Sequence, residues 1–325
     1  MGTDIQKKRH HYIPITYLNH FTDNLGRIYA YRKDDVDTPL HVRPSEIAFE
    51  RYYYSQPLPE GGRDNNTLED FFSTIETTWP SLVGRIRSGS TDPLDVEELF
   101  TFMTLMRVRV PATRDLIEMS RAEEVKATLG VLNRSGMLPP MPPGYDNLLN
   151  DVIISIDPHQ SLHAIPDLSR GFGTVLDSLG FEVLHNKTKI GFLTSDNPVI
   201  YFDPTVPEGK ILPYQIRPPH GSIELLFPID PTTVLCGRTG RPGTFRHSTM
   251  ASSQAVKRIN RFLSRFGYRF VFSLDRTQES VISKYANTSP VGKFVTVPTP
   301  TGGVFLSSSW VFGPRPSKPK WSGSE

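Results

Sequence analysis

Gly180-Phe181-Glu182-Val183-Leu184 is where the chain changes texture, and that change decides the fold class. Ahead of it, over about residues 66–179, apolar side chains recur at helical spacing. Leu68, Phe71, Phe72, Ile75, Trp79, Leu82 and Ile86 keep one face, and Pro80 should kink or break it. Asp92-Pro93 followed by Asp95, Glu97 and Glu98 is a helix start: a capping carboxylate, a proline at the first position and acids against the positive end of the helix dipole. The helix it opens carries Leu99, Phe102, Met103 and Met106 inward, and Pro111 should kink or split it. Pro139-Pro140-Met141-Pro142-Pro143-Gly144 reads as a loop, with helices expected over about 146–156 and 161–179.

Past Gly180, apolar runs near 181–184, 190–193, 198–202, 223–229 and 232–236 are separated by Pro, Gly and Asp and read as strands. A late helix over 252–266 leads to a strand at 268–273. Near the N-terminus, 14–21 reads as a short helix, 44–50 as a possible helical turn, and 27–32 and the aromatic run 51–55 as strands. Strands, then helices, then strands argue for an α+β fold. A central helical block should pack with a mainly antiparallel sheet drawn from N- and C-terminal segments. One domain is expected over 1–297, its mainly β part at about 180–275, with a loosely held Pro/Ser/Gly-rich tail over 298–325. Neither a GxGxxG fingerprint nor a GxxxxGK[ST] loop is present, so a Rossmann fold is not expected.

The 325 residues can bury a large core. Net charge is only +2, so attraction for nucleic acid would need local clustering of cations. The single cysteine, Cys236, lies in an apolar run; it reads as a small core residue and suits a reducing compartment. No run approaches the ~20 apolar residues of a membrane-spanning helix, and the polar N-terminus lacks the apolar core of a signal peptide. A cytoplasmic protein without a membrane partner is expected; oligomeric state is left open.

Lys7-Lys8-Arg9-His10-His11-Tyr12-Ile13-Pro14 places three cations, two imidazoles and a phenol together. A His pair can shuttle protons or bind metal. It can equally be part of a basic leader or pack against Tyr12 and Pro14. Thr194-Ser195-Asp196-Asn197-Pro198 is either a turn or a polar site at a strand end; Ser195 lacks the GxSxG elbow of a nucleophile. Arg107, Arg109 and Arg114 lie on an otherwise apolar helix, as a clamp for phosphate or carboxylate or as internal ion pairs, Asp196 and Glu224 being candidate partners. Glu224, if inward on its strand, could serve as acid or base. Lys257, Arg258, Arg261 and Arg265 share one helical face, which can track a phosphate backbone or simply be solvated. No histidine has metal-ligand spacing with an acidic partner, so no metal and no cofactor are expected.

Taken in order, His10-His11-Tyr12-Ile13-Pro14 with Tyr17-Leu18 and Phe21, Leu105 to Pro111 with Arg114, Phe192 to Val199, Leu226-Phe227-Pro228-Ile229, and Val256 to Asn260 resemble domain-of-unknown-function family 4238 (DUF4238), over roughly residues 8–275. Fungal arginine-containing cyclodipeptide synthases are similar to this family. That resemblance implies an aminoacyl-tRNA-using transferase. Such an enzyme joins an arginyl group to a second aminoacyl group and closes a diketopiperazine, without ATP, nicotinamide or metal. The roles we attach to it are His11 for proton transfer, with Ser195, Asp196 and Glu224 as further catalytic candidates, Asp196 or Glu224 also suiting the guanidinium. His10, Tyr12, Arg107, Arg109, Arg114, Thr194 and Asn197 would line the substrate site, and Lys257, Arg258, Arg261 and Arg265 would hold the tRNA. The alternatives are a nuclease or phosphodiesterase using His10 and His11, whose His-His-x-x-Pro pattern resembles the first strand of HNH nucleases, and a non-catalytic RNA- or partner-binding protein.

Overall fold

The computed structural model describes residues 7–140, 144, 148–215, 221–299 and 303–321. In chain order its elements are β1 (Arg9–His11), α1 (Ile15–Leu18), β2 (Ile28–Arg32), β3 (Asp35–Val42), β4 (Phe49–Arg51), β5 (Gln56–Pro57), β6 (Arg63–Asp64), α2 (Thr67–Glu76), α3 (Trp79–Arg87), α4 (Pro93–Val108) and α5 (Pro111–Arg134). Then follow α6 (Leu148–Asp151), α7 (Ile165–Asp177), β7 (Leu179–Asn186), β8 (Thr194–Ser195), β9 (Ile200–Phe202), β10 (Glu224–Asp230), β11 (Thr233–Thr239), β12 (Phe245–Met250), α8 (Ser253–Phe266), β13 (Phe270–Ser273), α9 (Glu279–Ser283), β14 (Ser289–Pro298) and β15 (Val304–Gly313).

The helix starts follow the local chemistry. Asp92 Oδ1 accepts the Leu94 N–H at 2.9 Å and caps α4. Ser252 Oγ accepts the Ala255 N–H at 3.2 Å and caps α8. Prolines begin helices here rather than bend them, because a first-turn residue has no intrahelical use for its N–H. Pro111 opens α5, and Pro80 sits in the first turn of α3, so the chain breaks at Thr77-Thr78.

The α+β class holds. Of the two larger sheets, one runs β3-β2-β13-β8 and so joins N- and C-terminal segments, and the other runs β12-β7-β11-β10-β9; β1-β4, β5-β6 and β14-β15 form two-stranded ribbons. Pairing is antiparallel except between β12 and β7. The helical block meets the sheets in an aromatic core. Trp79 of α3 stacks on Phe102 of α4 at 3.9 Å between ring centroids, and Tyr17 of α1 stacks on Phe227 of β10 at 5.7 Å. The apolar face of α8, with Val256, Ile259, Phe262, Leu263 and Phe266, fills a second core under β9 and β13.

Several expectations need correction. Of the expected strand 51–55 only Arg51 is extended, because Tyr52 takes the left-handed φ of 57° and ends β4. Residues 190–193 are not a strand. There the backbone is taken up locally: Phe192 N–H donates to Pro231 O at 2.8 Å, and Ile190 O accepts from Asn186 Nδ2 at 2.7 Å. Residues 158–164 form a 3-10 helix and α7 starts only at Ile165. Residues 141–143 of the expected Pro-rich loop and 146–147 of the expected helix over 146–156 lie outside the described residues.

The tail departs most. Much of it is held rather than loose: β15 pairs with β14 along its length, Phe312 packs edge-on against Phe266 at 4.9 Å, and the Lys318 ammonium donates to Asp115 Oδ1 at 2.9 Å. Its Pro and Ser content hid a strand whose alternate residues, Trp310 and Phe312, pack against the second core.

Candidate functional site

The two histidines lie on β1, paired antiparallel with β4, and they do different things. His10 is fully buried and saturated. Its Nδ1 accepts the Tyr54 N–H at 2.8 Å, its Nε2 reaches Lys7 O at 3.1 Å, and its ring stacks on Tyr54. Neither nitrogen is left for a substrate or metal. His11 is half-buried against Phe49, and its Nε2 has no hydrogen-bond partner. Burial lowers its pKa; a hydrogen bond to the Ser45 backbone and the Glu76 charge partly oppose the shift, and the Arg109 and Arg9 charges reinforce it, so the imidazole is neutral at pH 7.

β4, against which β1 rests, is bounded by two non-glycine residues in the left-handed region, Ala48 at φ 56° and Tyr52 at φ 57°. Each costs roughly 1–2 kcal/mol for an L-residue. Both are used: Ala48 O accepts the Tyr12 N–H and Tyr52 N–H donates to Lys8 O, each at 3.0 Å.

Across from His11 stands α2, tied to the start of β1 by Lys7 N–H donating to Asn66 Oδ1 at 3.1 Å and Lys7 Nζ to Asp70 at 2.6 Å. It presents Glu69, Phe72 and Glu76, at helical spacing, to Arg109. Arg109, the C-cap of α4, is fully enclosed; its Nη1 donates to Glu76 Oε1 at 2.6 Å and its guanidinium lies 5.1 Å from the Phe72 ring centroid. Its Nε and Nη2 have no partner, nor have the Tyr54 hydroxyl and Glu69 Oε1. Burial, with the negative charge of Glu76, pushes Glu69 up to about 7, although Arg109 acts against it. His11, Tyr54, Glu69, Glu76 and Arg109 thus form a half-buried polar cluster with several unused hydrogen-bonding atoms. α2 also borders an apolar pocket of about 650 Å³ lined by Phe71, Phe72, Ile75, Phe100 and Phe245 among others.

The remaining candidates lie elsewhere. Among the described residues His11 has no hydrogen bond, ion pair or ring contact to Arg107, Ser195, Asp196 or Glu224, so the site expected from them does not assemble around it. The segments do meet, but through Tyr17, whose hydroxyl donates to Pro228 O and accepts from Thr194 Oγ1, both at 2.7 Å.

Asp196 is fully buried; its Oδ1 accepts Tyr268 N–H and its Oδ2 Arg269 N–H, each at 2.8 Å. Ser195 Oγ accepts the Asn197 N–H at 3.2 Å and is no exposed nucleophile; Asn197 Nδ2 donates to Tyr214 Oη at 2.6 Å and Phe266 O at 2.8 Å. Arg107 lies 3.9 Å from the Tyr214 ring centroid and bonds Thr113. Arg114 spends Nε on Ser161 Oγ at 2.9 Å, Nη2 on Pro158 O at 2.7 Å and Nη1 on Tyr53 O. Tyr12 is buried beneath Arg269, which pairs with Glu50 and Asp115.

Glu224 is not a free acid or base. Arg258 grips it with two bonds, at 3.2 and 2.8 Å, and Arg238 adds a third at 2.9 Å; despite its burial these guanidinium bonds bring its pKa below the usual range. The cationic strip of α8 is equally committed: Arg261 pairs with Glu208 through two bonds, and Arg265 donates to Glu208 O and covers the Phe312 ring. Only Lys257 of the four is exposed. The exposed cations nearest His11 in the chain are instead Lys8 and Arg9, with Arg51 directly opposite Arg9 in the β1–β4 register.

Sequence reading missed Tyr54, Glu69 and Glu76. The signal is present in the spacing of Glu69, Phe72 and Glu76, which places two acids beside an otherwise apolar stripe. Cys236 matches its expectation: it is buried and burial pushes its thiol up to about 12. Native protein should therefore resist a thiol reagent such as dithionitrobenzoate at pH 8, with full reaction only in denaturant; rapid native labelling would contradict this burial.

Among the described residues no group of three or more His, Cys, Asp and Glu side chains could hold a metal ion, and no helix is long and apolar enough to cross a membrane. No curated protein and no solved structure matches the chain. A family model does match, over residues 9–277, under the description "protein of unknown function (DUF4238)". That span takes in β1, α2, the Arg109 turn and every element through β13, and the chain belongs to the DUF4238 family.

Proposed function

We propose that the chain is an aminoacyl-tRNA-using transferase of the cyclodipeptide-synthase kind, with His11 taking the proton from the attacking amine. The observation that supports this reading is the unpartnered Nε2 of a half-buried, neutral His11 beside a cluster of unused polar atoms. An aminoacyl ester is already activated. The amine nitrogen forms a bond to the ester carbonyl carbon, the carbon–oxygen bond to the tRNA ribose breaks, and the proton passes through the imidazole to the departing oxygen. A second such attack, within the dipeptidyl ester, closes the ring. An imidazole kept neutral by burial is suited to this at pH 7.

With α8 engaged internally, Lys8, Arg9 and Arg51 are the better candidates for phosphate contact, since they are exposed on the ribbon that carries His11. The test supplies purified protein with radiolabelled arginyl-tRNA and mixed aminoacyl-tRNAs and looks for diketopiperazines by mass spectrometry. Wild type should form product. His11→Asn should lose roughly 10²–10⁴-fold in rate while staying folded. Arg9→Ala with Arg51→Ala should raise KM more than it lowers kcat. Folded wild type that yields no aminoacyl transfer from any charged tRNA would sink the reading.

A further inference from the structure

We infer that Arg109 is the floor of an oxyanion-binding site, taking two oxygens of a carboxylate or phosphate group of a small ligand in its side-on fork. The Nε–H of an arginine and one N–H of its Nη2 point the same way, in parallel, and match the two oxygens of such a group. In Arg109 these are the nitrogens without a partner, whereas Nη1 is held by Glu76. The guanidinium is wholly buried and still charged: burial acts against the charge, but Glu76 and Tyr54 outweigh it and raise its pKa.

The fold is able to satisfy a buried arginine. Arg114, equally enclosed and five residues along the chain, has all three nitrogens bonded, to Ser161, Tyr53 and Pro158. An enclosed charged donor pair left open is costly unless something occupies it. Three further buried atoms without a partner belong to side chains close enough to Arg109 to interact with its charge: the Tyr54 hydroxyl, Glu69 Oε1 and His11 Nε2. With Arg109 they form a built site rather than one stray donor.

The charges around the fork set a pH dependence. Glu76 is already paired, His11 is neutral, and Lys7 and Arg9 stand on the β1 side, Lys7 held by Asp70. Glu69 is the variable charge. Its burial holds its pKa near 7, so below that it is protonated and donates to an anion, and above it its carboxylate repels one. A bound anion raises that pKa further. Binding must therefore weaken as pH rises through about 7, by up to about tenfold per unit.

This site shares its residues with the proposed reaction centre but does not depend on aminoacyl transfer, and it is measured without tRNA, so the two can fail separately. Calorimetry of the full chain with sodium acetate and with inorganic phosphate, at constant ionic strength and against chloride, should show one saturable site at pH 6 that weakens several-fold, by up to about tenfold, by pH 8. Tighter acetate binding assigns a carboxylate ligand, tighter phosphate a phosphate ester. Arg109→Lys keeps the charge but loses the fork and should bind at least tenfold more weakly. Glu69→Gln should retain binding and lose the pH dependence, which decides the matter even if the Arg109 variant fails to fold. Binding of both anions no stronger than chloride, or equal in wild type and Arg109→Lys, or independent of pH in wild type, would mean that only water fills the fork.

Discussion

Asp196→Ala is expected to lose about 3–4 kcal/mol of folding stability, and Asp196→Asn about 2 kcal/mol, read as shifts in urea midpoint. The carboxylate divides its two oxygens between consecutive backbone amides, Tyr268 and Arg269, at the turn from α8 into β13, and the fully buried carboxylate cannot exchange these bonds for water without opening the core. Alanine strands both amides. Asparagine keeps one acceptor but sets an NH2 against an N–H. The contrast separates two readings of the Thr194–Pro198 segment. An Asp196 that bound a guanidinium or moved a proton would tolerate asparagine structurally and lose only activity. A clamp loses stability first, and it takes Arg269 with it, whose side chain pairs with Glu50 and Asp115 beneath Tyr12. A fully stable Asp196→Asn variant would refute the clamp.

The polar run that looked most like chemistry is thus a knot holding the sheet to α8, and its sequence could not have said so. Turn-forming residues and catalytic residues are the same residue types, and only the partners tell them apart. Asp196 finds its partners more than seventy positions downstream. The same distance effect misled the reading of α8. The spacing of Lys257, Arg258, Arg261 and Arg265 correctly placed them on one face, but the acids that neutralise that face, Glu208 in a 3-10 turn and Glu224 in β10, lie far upstream. Helix starts were legible because a cap and its amide are neighbours in the chain, as at Asp92 and Ser252. The change of texture at Gly180 was legible because periodicity is local too. β12, β14 and β15 were not, since their pairing depends on partners that no local pattern names. His11 stood out and the structure leaves it open; its neighbours Glu69 and Glu76 were hidden in plain helical spacing.

The largest single loss is expected at Trp79. Its indole is fully buried, stacks on Phe102 at 3.9 Å and meets Tyr17 and Phe227 at 5.9 Å each, so one side chain joins α1, α3, α4 and β10. Trp79→Ala removes those contacts and leaves a cavity among aromatic walls that cannot collapse without moving helices, at a cost of about 3–5 kcal/mol. Trp79→Phe should cost only about 1–2 kcal/mol, because the indole N–H has no partner to strand and the phenyl ring keeps the stack on Phe102. The consequence reaches the polar cluster. Trp79 begins α3 three residues after α2 ends at Glu76, and Phe102 lies two turns before Arg109 on α4, so the stack fixes the distance between the acid and its arginine. Below its melting transition, Trp79→Ala should therefore also bind acetate more weakly at pH 6 than wild type, while Trp79→Phe recovers both stability and binding. Loss of stability with unchanged affinity would show that α2 and Arg109 are positioned by something other than this core.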